Sequence, residues 1–197
     1  MEITAQQVKE LREKTNAGMM DCKKALADAQ GNVEEAVKLL RERGMAKAAT
    51  KSGRETSEGI IASYIHPGDK LGVLVEIACE TDFVARTDKF RQFTHDVAMQ
   101  VAASSPLCVR REDIDAKTLE QEREIYRTQA KNEGKPERIL DKIVDGKIEK
   151  YFAEVALMEQ PFVKDNDKTI GDYLKETIGS LGENIQIKRF CRFRLGE

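Results

Sequence analysis

Apolar residues recur at helical spacing from Ile3 to Leu40 and then give way to apolar runs that are alternating or continuous, so a small helical unit precedes a mixed one. Thr4 with Gln7 three residues on forms a capping box. Ile3 and Val8 on either side of it form a hydrophobic staple, so the pattern predicts a first helix running to about Lys14. Asn16 and Gly18 then supply a turn. Met19, Cys22, Leu26 and Ala29 predict a second helix that stops at Gly31. Asn32 with Glu35 caps a third, whose apolar stripe is Val33, Ala36, Val37 and Leu40 and which Gly44 ends. Residues 1–45 therefore read as a minimal three-helix bundle, near the lower size limit for independent folding. The Ala-, Lys-, Ser-, Thr- and Gly-rich stretch 46–58 reads as a linker.

Residues 59–197 read as the main core. Gly59 to His66 and Leu71 to Cys79 are rich in Ile, Val, Leu and Tyr, and Pro67-Gly68-Asp69-Lys70 between them has turn chemistry, which predicts an antiparallel hairpin. From Thr87 the period becomes helical, with Phe90, Phe93, Thr94, Val97, Ala98 and Val101 on one face, ending before Ser104-Ser105-Pro106. Between about 107 and 158 the pattern predicts a helical insertion: Thr118 to Lys131, Pro136 to Asp145 stopped at Gly146, and Lys147 to Ala156. Thr169 to Ser180 is a further capped helix. Ile185 to Leu195 alternates, placing Ile185, Ile187, Cys191, Phe193 and Leu195 on one face of a last strand that joins the hairpin. The fold class is α+β: a small antiparallel sheet with helices on one face, after the bundle.

Composition narrows the function. Lys+Arg number 33 against Asp+Glu 35, a net charge of -2, so the chain as a whole is not drawn to nucleic acid or anionic lipid. The start of the chain lacks a signal-type apolar stretch and carries Glu2, Glu10 and Glu13, which transit peptides avoid. No apolar run is long enough to span a bilayer. Cys22, Cys79, Cys108 and Cys191 are too scattered for a metal pattern or a disulfide framework, and a reduced, cytoplasmic protein is expected. His66 and His95 sit in no zinc motif, and no phosphate loop or serine-nucleophile motif is present. No cofactor, metal ligand or catalytic residue is expected, which leaves a cysteine enzyme as the remote alternative.

Three features could instead serve binding. Lys188 to Arg194 interleaves Arg with Phe, a pattern that suits RNA stacking and equally suits a strand with one buried and one solvated face. Cys191 reads as a small core residue or, if exposed, as a bridge between subunits. Met19 and Met20 are adjacent, so both cannot point into so thin a bundle, and an exposed Met makes an adaptable contact. Glu80-Thr81-Asp82-Phe83-Val84-Ala85-Arg86 lies where a strand gives way to a helix, a place from which side chains project off a rigid base. Alternation cannot hide both Phe83 and Val84. On physical grounds alone, Phe83 capping the core and Asp82 capping the helix is an equal reading.

Leu11 to Leu26, containing Arg12, Thr15-Asn16-Ala17-Gly18-Met19-Met20-Asp21 and Lys23, and Cys79 to Arg86 are two long signatures in which the sequence resembles the bacterial elongation factor Ts family. Gly134-Lys135-Pro136, Glu159 to Val163 and Gly182-Glu183-Asn184-Ile185 extend the likeness over nearly the whole chain. The resemblance implies a guanine nucleotide exchange factor in translation elongation whose partner is elongation factor Tu. It implies a ubiquitin-associated-like N-terminal bundle that docks on the partner's nucleotide-binding domain through Arg12, Met19, Met20 and Lys23. It also places Asp82 and Phe83, within Thr81, Val84 and Arg86, at a wedge that disturbs the bound magnesium and loosens GDP. Many members carry a duplicated core and an added coiled coil. This chain has one core copy, so a symmetric homodimer is expected, its second protomer offering Phe162 and Val163 to another domain of the partner. Asn16 stands where the signature usually has Gly, and Asn tolerates the left-handed conformation. The competing reading is an RNA- or ribosome-binding translation protein using residues 188–194.

Overall fold

The structure, a computed structural model, describes residues 3–15 and 17–197, so the expected turn residue Asn16 lies outside the described residues, as do Met1 and Glu2. Contacts divide the chain into two units: one of Met1–Ile61, Ile77–Thr94 and Asp172–Gln186, the other of Ala62–Glu76, His95–Gly171 and Ile187–Glu197.

In the first unit, helices α1 (Ala5–Thr15), α2 (Met19–Asp28) and α3 (Val33–Ala49) enclose Val8, Leu11, Cys22, Ala25, Leu26, Ala29 and Ala36. The expected capping box is formed in both directions: Gln7 N–H donates to Thr4 Oγ1 at 3.2 Å and Thr4 N–H to Gln7 Oε1 at 3.0 Å. Gln30 (φ 52) and Gly31 (φ 84) turn the chain after α2, and Gly31 N–H closes on Leu26 O at 2.8 Å. Asn32 accepts from Glu35 N–H at 3.1 Å to start α3.

Gly44 does not end α3, contrary to expectation. Its backbone stays helical and is closely crossed by Gly179 instead, whose missing side chain makes the room. A Cβ on Gly179 of α8 (Ile170–Leu181) would lie 3.0 Å from Gly44 Cα. Arg41 Nη2 meets Asp172 Oδ2 at 3.1 Å on the same pair of helices. The expected linker 46–58 is likewise not a free tether: 46–49 complete α3, Lys51 Nζ donates to Gly182 O, and Asn184 Nδ2 donates to Arg54 O at 2.7 Å.

The same unit holds the start of strand β1 (Glu58–Ile65), the end of β2 (Leu71–Cys79), the four-residue helix α4 (Asp82–Ala85) and the start of α5 (Asp88–Ser104). Phe90 and Phe93 of α5 are fully buried, and the Phe93 ring stands edge-on to Tyr173 at 5.1 Å. Gly59 (φ 146) lies so close to β2 that a Cβ there would overlap Ile77 O and approach Ala78 Cα to 2.7 Å.

β1, β2 and β5 (Ile185–Arg194) form a three-stranded antiparallel sheet in the order β1-β2-β5, as the hairpin pattern predicts. In the second unit the β1–β2 turn closes with His66 N–H on Leu71 O at 2.9 Å, while Gly68 and Asp69 take positive φ. The insertion is a hairpin of α6 (Ala116–Asn132) and α7 (Glu137–Val155), in which Val144, Ile148 and Phe152 pack with Leu119, Tyr126 and Tyr151. Gly146 does not stop α7. Leu140, Val144, Ile148 and Phe152 bury one continuous stripe, whose packing outweighs the roughly 1 kcal/mol that an internal Gly costs relative to Ala.

A short ribbon, β3 (Pro161–Phe162) with β4 (Asp165–Thr169), follows α7. The polar run Asp165-Asn166-Asp167-Lys168 gives no apolar alternation from which to predict it. It is fixed through Gln100, fully buried, which donates to Gln160 Oε1 at 3.2 Å and Pro161 O at 3.1 Å and accepts from Val163 N–H at 2.9 Å.

Of the expected inward set on β5, Ile185 and Ile187 are buried, but Cys191, Phe193 and Leu195 are exposed. Lys188 and Arg189 are both exposed in succession, so the alternation slips by one residue and Phe190 and Arg192 become the half-buried pair. Arg189 Nε meets Glu76 Oε2 at 2.7 Å beside the exposed Leu74.

Candidate partner-binding site

A helix of four residues cannot hold itself together in water, so α4 needs outside support at both ends. Thr81 precedes it in extended conformation, and its Oγ accepts from Val84 N–H at 3.4 Å. After it, Thr87 Oγ1 donates to Val84 O at 2.8 Å and accepts from Phe90 N–H at 3.2 Å, joining the end of α4 to the start of α5.

The turn has one inward and one outward side. Ala85 is buried and fixes the inward side, while Phe83, two positions and so about 200° away, is 79% exposed. Val84 is half-buried. Asp82 and Arg86 lie one turn apart and pair at 2.7 Å on the surface. Of the two readings of Phe83, a core cap is excluded by its exposure. An aromatic ring held out on a braced turn is the kind of side chain that anchors protein interfaces.

Beneath the turn, Thr81 donates twice to Glu183, from N–H to Oε2 at 3.0 Å and from Oγ to Oε1 at 2.6 Å. Asn184 N–H donates to Glu80 Oε1 at 2.6 Å, a bond that holds the Glu80 carboxyl below the usual glutamate range, with Arg54 assisting. Cys79 S–H donates to Thr81 O at 3.1 Å; burial, and then the charge of Glu183, push this thiol up to about 11. It is therefore protonated near neutrality and is no nucleophile. Glu183, Asn184 and Thr87 were not among the expected site residues. The hint of the first two was that Gly182-Glu183-Asn184-Ile185 belongs to the family likeness, which gave them no role.

In the same unit, Arg12, Lys23, Met19 (51% exposed) and Met20 (74% exposed) lie at the surface of the bundle. Met19 was expected in the stripe of α2, but that stripe begins only at Cys22. The second unit treats the other expected pair differently. Phe162 is buried, 4% exposed, so the expected contact through its ring is corrected: of the two only Val163 is presented at the surface.

The arginines of the C-terminal strand form ion pairs within the chain, Arg189 with Glu76 at 2.7 Å and Arg192 and Arg194 with Glu197 at 2.7 and 3.4 Å. His66 Nδ1 lies 3.0 Å from Tyr64 Oη, and the His95 ring stands against Tyr64 at 5.7 Å. Among the described residues no three His, Cys, Asp or Glu side chains gather as metal ligands, and no helix is long and apolar enough to cross a membrane.

Comparison with known proteins gives one consistent result. The family model described as elongation factor TS matches residues 1–197. Elongation factor Ts of Desulfosudis oleivorans is 60% identical over 195 residues, covering 99% of this chain and 98% of the relative. Elongation factor Ts of Maridesulfovibrio salexigens is 59% identical over 197 residues, covering 100% and 96%. That of Geobacter sulfurreducens is 57% identical over 197 residues, covering 100% and 91%.

Proposed function

Because the chain belongs to the elongation factor Ts family, we propose that it is the guanine nucleotide exchange factor of elongation factor Tu, acting in the cytoplasm during translation elongation. The observation that carries this reading is Phe83, an apolar ring held 79% exposed on a braced turn beside Asp82. In this reading Arg12, Met19, Met20 and Lys23 anchor the bundle on the partner's nucleotide-binding domain. Phe83 enters the partner and Asp82 disturbs the region of its magnesium ion, with Thr81, Val84 and Arg86 shaping the same turn.

In this reading exchange needs no bond-making group from the chain, so the factor acts by binding rather than as an enzyme. Exchange follows from reciprocal coupling: a factor that binds the nucleotide-free partner more tightly weakens GDP by the same factor. Weakening GDP a thousandfold requires about 4 kcal/mol of differential contact. Burial of one Phe contributes roughly 1.5 to 3 kcal/mol. Phe83 with one or two further anchors therefore suffices. Mixing the chain with elongation factor Tu loaded with fluorescent GDP is expected to accelerate release, and an unchanged rate at micromolar concentration would refute the proposal.

The chain acts as a homodimer in the same reading. On the outer side of the sheet, in the second unit, Ile65, Leu74, Cys191, Phe193 and Leu195 are all exposed, next to the Arg189–Glu76 pair. An apolar patch flanked by both signs of charge is self-complementary under a two-fold axis. Light scattering is expected to give twice the chain mass for the wild type and the single mass for Phe193→Asp. A wild type of single mass at tens of micromolar would remove the dimer. Repeating the measurement with reductant separates packing from a bridge through Cys191.

A further inference from the structure

Glu183 and Asn184 are tied to the Phe83-bearing turn by a reciprocal set of bonds. The Glu183 carboxylate takes the N–H and hydroxyl of Thr81 at 3.0 and 2.6 Å, and the Glu80 carboxylate takes the N–H of Asn184 at 2.6 Å. These are charge-assisted bonds between segments separated by 102 to 104 positions in sequence. Asn184 is itself buried, and its side-chain amide donates to Arg54 O at 2.7 Å and Ser52 O at 3.4 Å. Gly182 (φ 82) ends α8 just before the pair, and its carbonyl accepts from Lys51 Nζ. The pair is thus tied to two other segments, 51–54 and 80–81, and only the second leads into the turn.

We propose that Glu183, supported by Asn184, is a positioning residue for nucleotide exchange: by holding Thr81 it sets the direction in which α4 presents Phe83. This rests on the functional reading above and adds a residue to it. Thr81 already spends its hydroxyl oxygen on Val84 N–H, and its own N–H and hydroxyl proton both end on Glu183. Without that carboxylate two donors lose their acceptor, and the residue that caps the four-residue helix loses two of its restraints. The ring would then sample many directions and meet the partner in the right one only part of the time.

The test is a double-mutant cycle on stimulated GDP release, read alongside melting temperature. Glu183→Ala is expected to lower the maximal release rate about tenfold, because small misplacements of a contacting group carry large rate costs. Glu183→Gln keeps one oxygen to accept from Thr81 N–H and is expected to restore most of the rate. In a Phe83→Ala background, adding Glu183→Ala is expected to change the rate less than about twofold, since a residue that acts only through Phe83 has nothing left to position.

A loss of equal size in both backgrounds would mean that Glu183 touches the partner or merely supports the fold, and would overturn the proposal. An unchanged rate for Glu183→Ala would do the same. If the alanine variant does not fold, Glu183→Asp keeps the charge, loses the reach and takes its place in the cycle. Should Phe83→Ala alone leave stimulation intact, the wedge itself fails, an outcome distinct from failure of the positioning role.

Discussion

Phe83→Ala is expected to lower stimulated GDP release by on the order of 10- to 100-fold, the rate equivalent of roughly 1.5 to 3 kcal/mol for burying one aromatic ring in a partner. The fold should be indifferent to the change, because the ring is 79% exposed and the turn is held by Thr81, Ala85 and Thr87 rather than by Phe83. Stopped-flow release of a fluorescent nucleotide reads the first quantity and thermal melting the second. A variant that keeps its melting temperature and still stimulates fully would remove Phe83 from the site.

The second large effect has the opposite signature. Phe93→Ala, one helix further on, removes a fully buried ring that stands edge-on to Tyr173 at 5.1 Å. Large-to-small changes of this kind cost about 3 to 5 kcal/mol, which for a chain of this size lowers the melting temperature by roughly 10 °C. Denaturant titration should show the midpoint fall with the slope unchanged. Exchange at temperatures well below the melting point should survive, since Phe93 supports the turn through the core and presents nothing to a partner. A melting temperature within 2 °C of wild type would show that the site collapses onto the cavity, contrary to the packing described.

What was legible in the chain was local chemistry. The capping box at Thr4, the N-cap at Asn32, the hairpin around Pro67-Gly68-Asp69-Lys70 and the apolar face of α5 follow from neighbouring residues alone. What was not legible depends on distant segments. Gly44 and Gly146 read as stops because Gly is a poor helix former, yet a crossing with α8 and a continuous apolar stripe carry the two helices through them. The one-residue slip at Lys188 and Arg189 is set by which side of β5 is covered, and alternation in sequence does not report covering.

The site divides in the same way. The pattern marks Phe83 and Val84 as a pair that cannot both be hidden, and the family likeness suggests what the exposed one does. The likeness also nominated Phe162, but a motif does not state which of its members is buried, and the ring lies inside. Glu183 was marked by the likeness but given no role, because its partner Thr81 is 102 positions away.

The crossing of Gly44 over Gly179 has a mechanical meaning. Two bare backbones in contact have no side chain to deform, so the crossing is a stiff fulcrum, and α3, at 17 residues, is a lever of roughly 25 Å. A methyl group added at Gly179 would stand 3.0 Å from Gly44 Cα and push on the lever, whereas one added at Gly44 would meet nothing. The load on that lever is the bundle that carries Met19 and Met20, and the bare Gly179 is what lets it rest so close to α8.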